Sequence, residues 1–279
     1  MITKMPSSPL KIGLALSGGA VRGMAHVGVL RALAENGIPI DCIAGTSSGS
    51  IVGGAYAAGL SIEKIAEFGR NLRWRHIGRI TMSRLGVQSN ERLEQYLRDR
   101  LPVTKFEDLA IPFAAVATDL NTHTAVVLKG QGDIPRAIRA SCTIPGWYVP
   151  VIDDQGRQLV DGGLVAVVPT AVTRSLGADI VIAVDVNSEG LSFVGSSTSM
   201  IGILLQSMMV VQQTSSAYQL GMSDIVVSPK IGHIGYHKMG RADEVIAAGY
   251  EAGLKSISKI REVIDSARCK EAQREEMLA

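Results

Sequence analysis

Two glycine-rich turns lie about thirty residues apart near the start of the chain, and each follows a short apolar run and opens into a helical pattern. Strand–turn–helix units in direct succession leave few architectures open. Strands that are apolar throughout must be buried on both faces, which calls for parallel pairing, right-handed crossovers and helices on both sides of the sheet. The first unit runs from Ile12–Leu16 through Ser17-Gly18-Gly19-Ala20-Val21-Arg22-Gly23 into a helix over residues 24–36. There Val27, Leu30, Leu33 and Ala34 share a face, and Gly37 ends the pattern. The second runs from an apolar strand over 38–44 through Gly45-Thr46-Ser47-Ser48-Gly49 into a helix over 48–58 that is rich in Gly and Ala. The expected fold is therefore α/β, a three-layer α/β/α sandwich with a mainly parallel central sheet and a ligand site at the strands' carboxyl ends.

The remaining segments fill in this scheme. Ser61 is placed to cap a helix reaching residue 71, and Asn90 to cap another over 91–101, with 78–89 between them as a mobile cover. Residues 113–118 and 124–128 read as strands, and 149–152 with 158–160 as a hairpin, so some antiparallel pairing is expected. Apolar strands over 179–186 and 224–227 and a long closing helix over 241–267 complete the chain. Ser196 to Ser199 precede a run over 200–211 in which Ile201, Leu204, Leu205, Met208 and Met209 make a wide apolar stripe, joined by Ile203, Val210 and Val211. A buried or dimer-forming helix is the first expectation there, which leaves room for a homodimer, and an acyl-binding or interfacial helix is the alternative. The domain reading is an N-terminal extension over 1–10, one domain over 11–267 and a tail over 268–279.

Composition excludes several classes. With 279 residues, 46% apolar but only 4% aromatic, the core must be built from Ala, Val, Ile and Leu. A net charge of +2, with both signs interspersed, gives no field suited to a polyanion, so nucleic acid is not an expected partner. One basic cluster, Arg70, Arg73, Arg75 and His76 with Arg79 and Arg84, reads first as a solvated segment and second as a contact for anionic headgroups. Cys42, Cys142 and Cys269 lack a C-x-x-C spacing, which suits a reducing cytoplasm and neither a disulfide framework nor a zinc site. The first ten residues, with Pro6 and Pro9, lack a secretory apolar core, and no run approaches the ~18 apolar residues of a span. A cytoplasmic location is expected, with any membrane contact peripheral.

The second turn has the G-x-S-x-G spacing of a nucleophile elbow, with Ser47 at its centre; a helix-capping serine in a glycine turn is the bland alternative. A serine hydroxyl needs a base to take its proton and donors already in place for the oxyanion. The first turn can supply such donors. As a dinucleotide fingerprint it fails, since glycine is wanted where Ala20 stands and an acid is wanted at the end of the second strand. The base is harder to assign. His26 lies one helical turn beyond Arg22 and can reach the glycine loop, while His233 and His237 follow Asp161 in the Ser, Asp, His order of α/β-hydrolases. Asp161 itself stands in Leu159-Val160-Asp161-Gly162-Gly163, where a strand ends and two glycines turn the chain.

The glycine loop, the G-x-S-x-G and the D-G-G, in this order, resemble the patatin-like phospholipase family. Ala140-Ser141-Cys142-Thr143-Ile144-Pro145-Gly146 and Arg241-Ala242-Asp243-Glu244-Val245-Ile246-Ala247-Ala248-Gly249-Tyr250 extend the resemblance, which spans residues 12–253. It implies a Ser-Asp dyad without histidine, Ser47 matching the nucleophile and Asp161 its partner, with Gly18, Gly19 and Ala20 as the oxyanion loop. Arg22 matches the basic position of that loop, and Gly23, Gly45, Gly49, Gly162 and Gly163 support the turns. Ala20 departs from the family, many members having a third glycine there. The implied activity is hydrolysis of fatty acyl esters, of phospholipid, lysophospholipid or simpler type, through an acyl-enzyme and with no metal or organic cofactor. A regulatory or lipid-binding protein on the same scaffold is the rival. An aspartate of ordinary pKa ~3.9 is a weak base at pH 7, so apolar surroundings should crowd Asp161 and raise it. Cys142 and Trp147 read as core residues, with lining of an acyl pocket as the alternative.

Overall fold

A computed structural model describes residues 10–189 and 199–278. The stretch bearing Pro6 and Pro9, and the serines of 196–198, lie outside the described residues. In chain order the elements are β1 (Ile12–Leu16), α1 (Ala25–Glu35), β2 (Cys42–Thr46), α2 (Ser48–Ala57), α3 (Ile62–Asn71), α4 (Trp74–Ile77), β3 (Arg79–Ile80), β4 (Gln88–Ser89) and α5 (Glu91–Arg98). They continue with β5 (Phe113–Asp119), β6 (Thr124–Lys129), α6 (Ile134–Ser141), β7 (Val151–Ile152), β8 (Gln158–Asp161), α7 (Thr170–Ser175), β9 (Ile180–Val184), α8 (Met200–Leu220), β10 (Ile225–Val227) and α9 (Ala242–Leu278). Strands β10, β9, β1, β2 and β5 pair in parallel, whereas β6, β7 and β8 join antiparallel, giving the mostly parallel mixed sheet flanked by helices that the sequence pattern requires.

The sheet sorts its side chains by size. Ile12, Leu14 and Leu16 of β1 and Ile180, Ile182 and Val184 of β9 enter one large core with Val27, Leu30, Ala55, Ile246 and Ile260 from α1, α2 and α9. Their alternating neighbours Ala15, Val181 and Ala183 face the other way, into a smaller core with Val167, Val168 and Ala178. That is the period-2 arrangement of strands covered on both faces. Helices α1 and α9 touch backbone to backbone, because a Cβ on Gly28 would strike the Ile246 carbonyl and one on Gly249 the Ala25 carbonyl.

Several expectations change. The second strand begins at Cys42, not at 38: Pro39 has no N–H to offer a ladder, and the Asp41 carboxylate accepts the Ile12 N–H at 2.7 Å. Asn90 does not cap α5 through its side chain. It is buried, and its Nδ2 donates to Thr143 Oγ1 at 2.9 Å and the Arg139 carbonyl at 3.1 Å. Residues 79–89 form a hairpin, with Arg79 opposite Ser89 and Ile80 opposite Gln88. Helix α9 continues past residue 267 to Leu278, since no Gly or Pro follows Gly253. Helix α8 is longer than expected, and Met200, Ile203, Leu204, Val210 and Val211 are exposed rather than buried within this chain. The helix is held by its polar end instead. Gln219 Oε1 accepts the Val168 N–H at 2.8 Å and Nε2 donates to the Val165 carbonyl at 3.0 Å. Among the described residues no helix is long and apolar enough to cross a membrane.

Candidate active site

Strand β5 brings the two halves of the site together. A strand has two edges, and β6 pairs with residues 114–119 along one of them, so β2 and β8 must share the other. Thr46, the last residue of β2, is opposite Val116, and Asp161, the last of β8, is opposite Ala117. The two strands abut end to end, and the residue after Thr46 meets the Asp161 side chain.

That residue is Ser47, with φ 51° and ψ −122°, a conformation an L-residue adopts only at a cost of order 1–3 kcal/mol. Its neighbours make room for it: a Cβ on Gly45 would strike the Gly49 backbone, and one on Gly49 the Leu16 carbonyl. The elbow is pinned from outside by Ser141, whose Oγ accepts the Ser47 N–H at 2.8 Å and donates to the Val116 carbonyl at 2.6 Å. Sequence reasoning quoted Ser141 within a motif but gave it no role. Its position leads to a concrete expectation: Ser141→Ala, by freeing the strained amide, should lower kcat at least about tenfold with little change in KM, as steady-state kinetics would show.

Asp161 is buried, and its Oδ1 accepts the Gly163 N–H at 2.8 Å. Its own N–H donates to the Thr143 carbonyl at 2.8 Å and its carbonyl accepts Thr118 Oγ1 at 2.9 Å, so the backbone there is fixed. Burial pushes the carboxyl up to about 6, against the opposing pull of the nearby Ser47 hydroxyl and of the Gly163 N–H. Gly162 packs on the Val116 carbonyl, where no Cβ would fit.

The glycine loop after β1 runs beside Ser47 at the sheet's switch point, where the connections after β1 and β9 diverge. One of its three expected oxyanion donors is spent: the Gly18 N–H donates to the Val167 carbonyl at 2.9 Å. The Gly19 and Ala20 amides have no acceptor among the described residues. Ala20 lines the cavity at φ 48°, a left-handed conformation that explains why glycine suits this position. Arg22 does not face Ser47. It is buried beneath the loop, donating to the Ile234 and Gly232 carbonyls at 2.7 and 2.8 Å and to Tyr236 Oη at 3.1 Å. The chain of contacts continues from Tyr236 Oη to Asn187 Oδ1 at 2.9 Å and from Asn187 Nδ2 to the Gly18 carbonyl at 2.7 Å. Neither Asn187 nor Tyr236 carries a local sequence motif that would have marked it.

Ser47 opens onto an apolar cavity of about 100 Å³ walled by Val52, Ile65, Phe68, Leu93, Ile144 and Tyr148. Cys142 lines it, and burial raises that thiol far above its ordinary pKa. Trp147 is not part of the wall; Trp74 is. No histidine among the described residues lines it. His26 Nε2 lies 2.9 Å from the Ser17 carbonyl, and burial pulls the ring down to about 4, so it is neutral and structural. His233 is exposed and paired with Glu244 at 2.8 Å. The triad alternative therefore has no geometry to support it, whereas Ser47 and Asp161 stand face to face.

Comparison with known proteins agrees with this architecture. The family model for patatin-like phospholipases matches residues 14–174, from β1 through α7 and including both Ser47 and Asp161. The chain belongs to the patatin-like phospholipase family. An uncharacterised NTE family protein of Mycobacterium bovis is 40% identical over 184 residues, which is 65% of this chain and 50% of that protein. Lysophospholipase NTE1 of Mycosarcoma maydis is 39% identical over 187 residues, 64% of this chain and 10% of the fungal protein. The matched segment thus spans half or less of these patatin-like relatives. VipD from Legionella pneumophila shares the fold at a TM-score of 0.53 and 13% identity, with 91% of this chain and 68% of VipD covered.

Proposed function

We propose that this patatin-like chain hydrolyses fatty acyl esters of the phospholipid or lysophospholipid type through an acyl-enzyme on Ser47, with Asp161 as the base. The observation that carries this reading is a strained serine that faces a buried carboxylate of raised pKa at the wall of an apolar cavity. Ser47 Oγ attacks the ester carbonyl carbon and its proton passes to Asp161. The tetrahedral intermediate then collapses, and the departing alcohol takes that proton. Water repeats the sequence, giving its proton to Asp161 and releasing the fatty acid as Ser47 is reprotonated. The Gly19 and Ala20 amides are the donors for the oxyanion, and the apolar wall receives the acyl chain. At an ordinary pKa near 3.8 Asp161 would lie about three units below neutrality, a deficit of roughly 4 kcal/mol; at about 6 the deficit falls to roughly 1.4 kcal/mol. The NTE1 relative named a lysophospholipase supports a lipid substrate.

A fluorophosphonate probe should label the protein at Ser47, and a panel of short, long-chain and lysophospholipid esters should show turnover that increases with acyl length. Because the ionised form of Asp161 is the base, kcat/KM should rise about tenfold per pH unit up to about 6 and level above it. Absence of both labelling and turnover overturns the reading.

A further inference from the structure

From residue 68 to residue 90 the chain has no Asp or Glu, yet it holds Arg70, Arg73, Arg75, Arg79 and Arg84. Arg70 is paired with Asp243, whereas the other four guanidiniums meet no carboxylate among the described residues. Their field reaches His76, which burial and the guanidiniums of Arg75, Arg100 and Arg73 hold below its ordinary pKa. Between these arginines stand large apolar side chains in water. Ile80 is 79% exposed and Met82 fully so, and Trp74, Leu85 and Val87 are exposed as well. Isolated apolar residues on a surface need no explanation, but five within fourteen positions, interleaved with unpaired cations, do.

The segment is a built feature. Strands β3 and β4 form its hairpin, extended by the Thr81 N–H donating to the Val87 carbonyl at 3.2 Å. Its base is tied to the cavity wall: the Gln88 N–H donates to the Trp147 carbonyl at 2.9 Å, the Val149 N–H to the Gln88 carbonyl at 2.9 Å, and Gly86 packs against the Tyr148 backbone. Leu72, Trp74 and Ile77, on the approach to the hairpin, line the cavity itself. The exposed tip and the cavity wall are thus one continuous surface.

We propose that residues 73–87 dock on an anionic phospholipid leaflet, with Ile80, Met82 and Leu85 in the acyl boundary and Arg73, Arg75, Arg79 and Arg84 at the headgroups. Docked in this way, the cavity opens towards the bilayer and an acyl chain reaches Ser47 without crossing water. Charge and apolarity together select the partner: a nucleic acid would use the arginines but leave the apolar tip in water, whereas a leaflet satisfies both. The proposal extends the lipid-hydrolase reading, and a binding assay on catalytically silent protein separates the two.

Full-length Ser47→Ala protein should float with vesicles of phosphatidylcholine mixed with phosphatidylglycerol, should release in high salt, and should bind pure phosphatidylcholine vesicles weakly. Each arginine contributes about fivefold, so Arg79→Glu with Arg84→Glu should weaken binding at least about tenfold. Met82→Asp with Leu85→Asp should do the same. Carried into the Ser47-containing protein, both pairs should leave hydrolysis of a short soluble ester within about twofold and reduce hydrolysis of vesicle phospholipid in step with binding. An unchanged circular dichroism melt shows that each variant is folded. Equal vesicle binding by parent and variants, no binding by the parent, no preference for the anionic vesicles, or equally tight binding to a DNA duplex would each overturn the proposal.

Discussion

Asp161→Asn is expected to abolish ester hydrolysis while making the protein more stable at neutral pH. The carboxyl is buried and its pKa is raised to about 6, so at pH 7 folding has to carry an ionised carboxylate into a poorly solvated site. A shift of about two units corresponds to roughly 3 kcal/mol. Because the folded-state pKa lies above the unfolded one, the stability tied to the proton is fully present below about pH 4 and is lost as pH rises through about 6. Asparagine keeps an oxygen for the Gly163 N–H and has no charge to desolvate. It cannot accept the serine proton. Turnover should fall at least about a thousandfold, the loss expected when a triad or dyad base is removed. Melting temperature at pH 7 should rise by several degrees, and the gain should vanish near pH 4. An Asp161→Asn variant that keeps wild-type turnover would remove Asp161 from the mechanism.

The second large effect belongs to Ser47, the proposed nucleophile, and divides into two measurements. Ser47→Ala and Ser47→Gly should both end turnover and fluorophosphonate labelling, because neither has an atom to acylate. They should differ in stability. At φ 51° and ψ −122° an alanine carries the same backbone strain as the serine, whereas glycine relieves it, so the glycine variant should be the more stable by about 1–2 kcal/mol in urea unfolding. Equal stabilities would mean that the elbow is not strained.

What the sequence disclosed depended on whether the chemistry was local. The elbow was legible at Ser47 because its requirements lie within five residues: an apolar strand before it, a small-residue helix after it and glycines where a Cβ would strike backbone. Asp161 was legible only through the family resemblance. Asp-Gly-Gly reads locally as a turn, and what brings it to Ser47 is the sharing of one edge of β5 by two strands more than a hundred residues apart. The Gly18 amide was misassigned for a similar reason, since the carbonyl that takes it belongs to Val167. Asn90 stood where a cap belongs but was drawn into the core by Thr143 and Arg139. Helix α8 is a different case: its apolar run is present in the sequence, and this chain leaves Ile203, Leu204, Val210 and Val211 uncovered.

The end-to-end meeting of β2 and β8 makes the proposed hydrolysis a gauge of strand alignment. Were β8 to slide one step along β5, Asp161 would travel about 3.3 Å and its side chain would swing through to the other side of the sheet, leaving Val160 or Gly162 to confront Ser47. A chain misaligned in this way would retain its helices and nearly all of its hydrogen-bonded ladder, and would be catalytically mute.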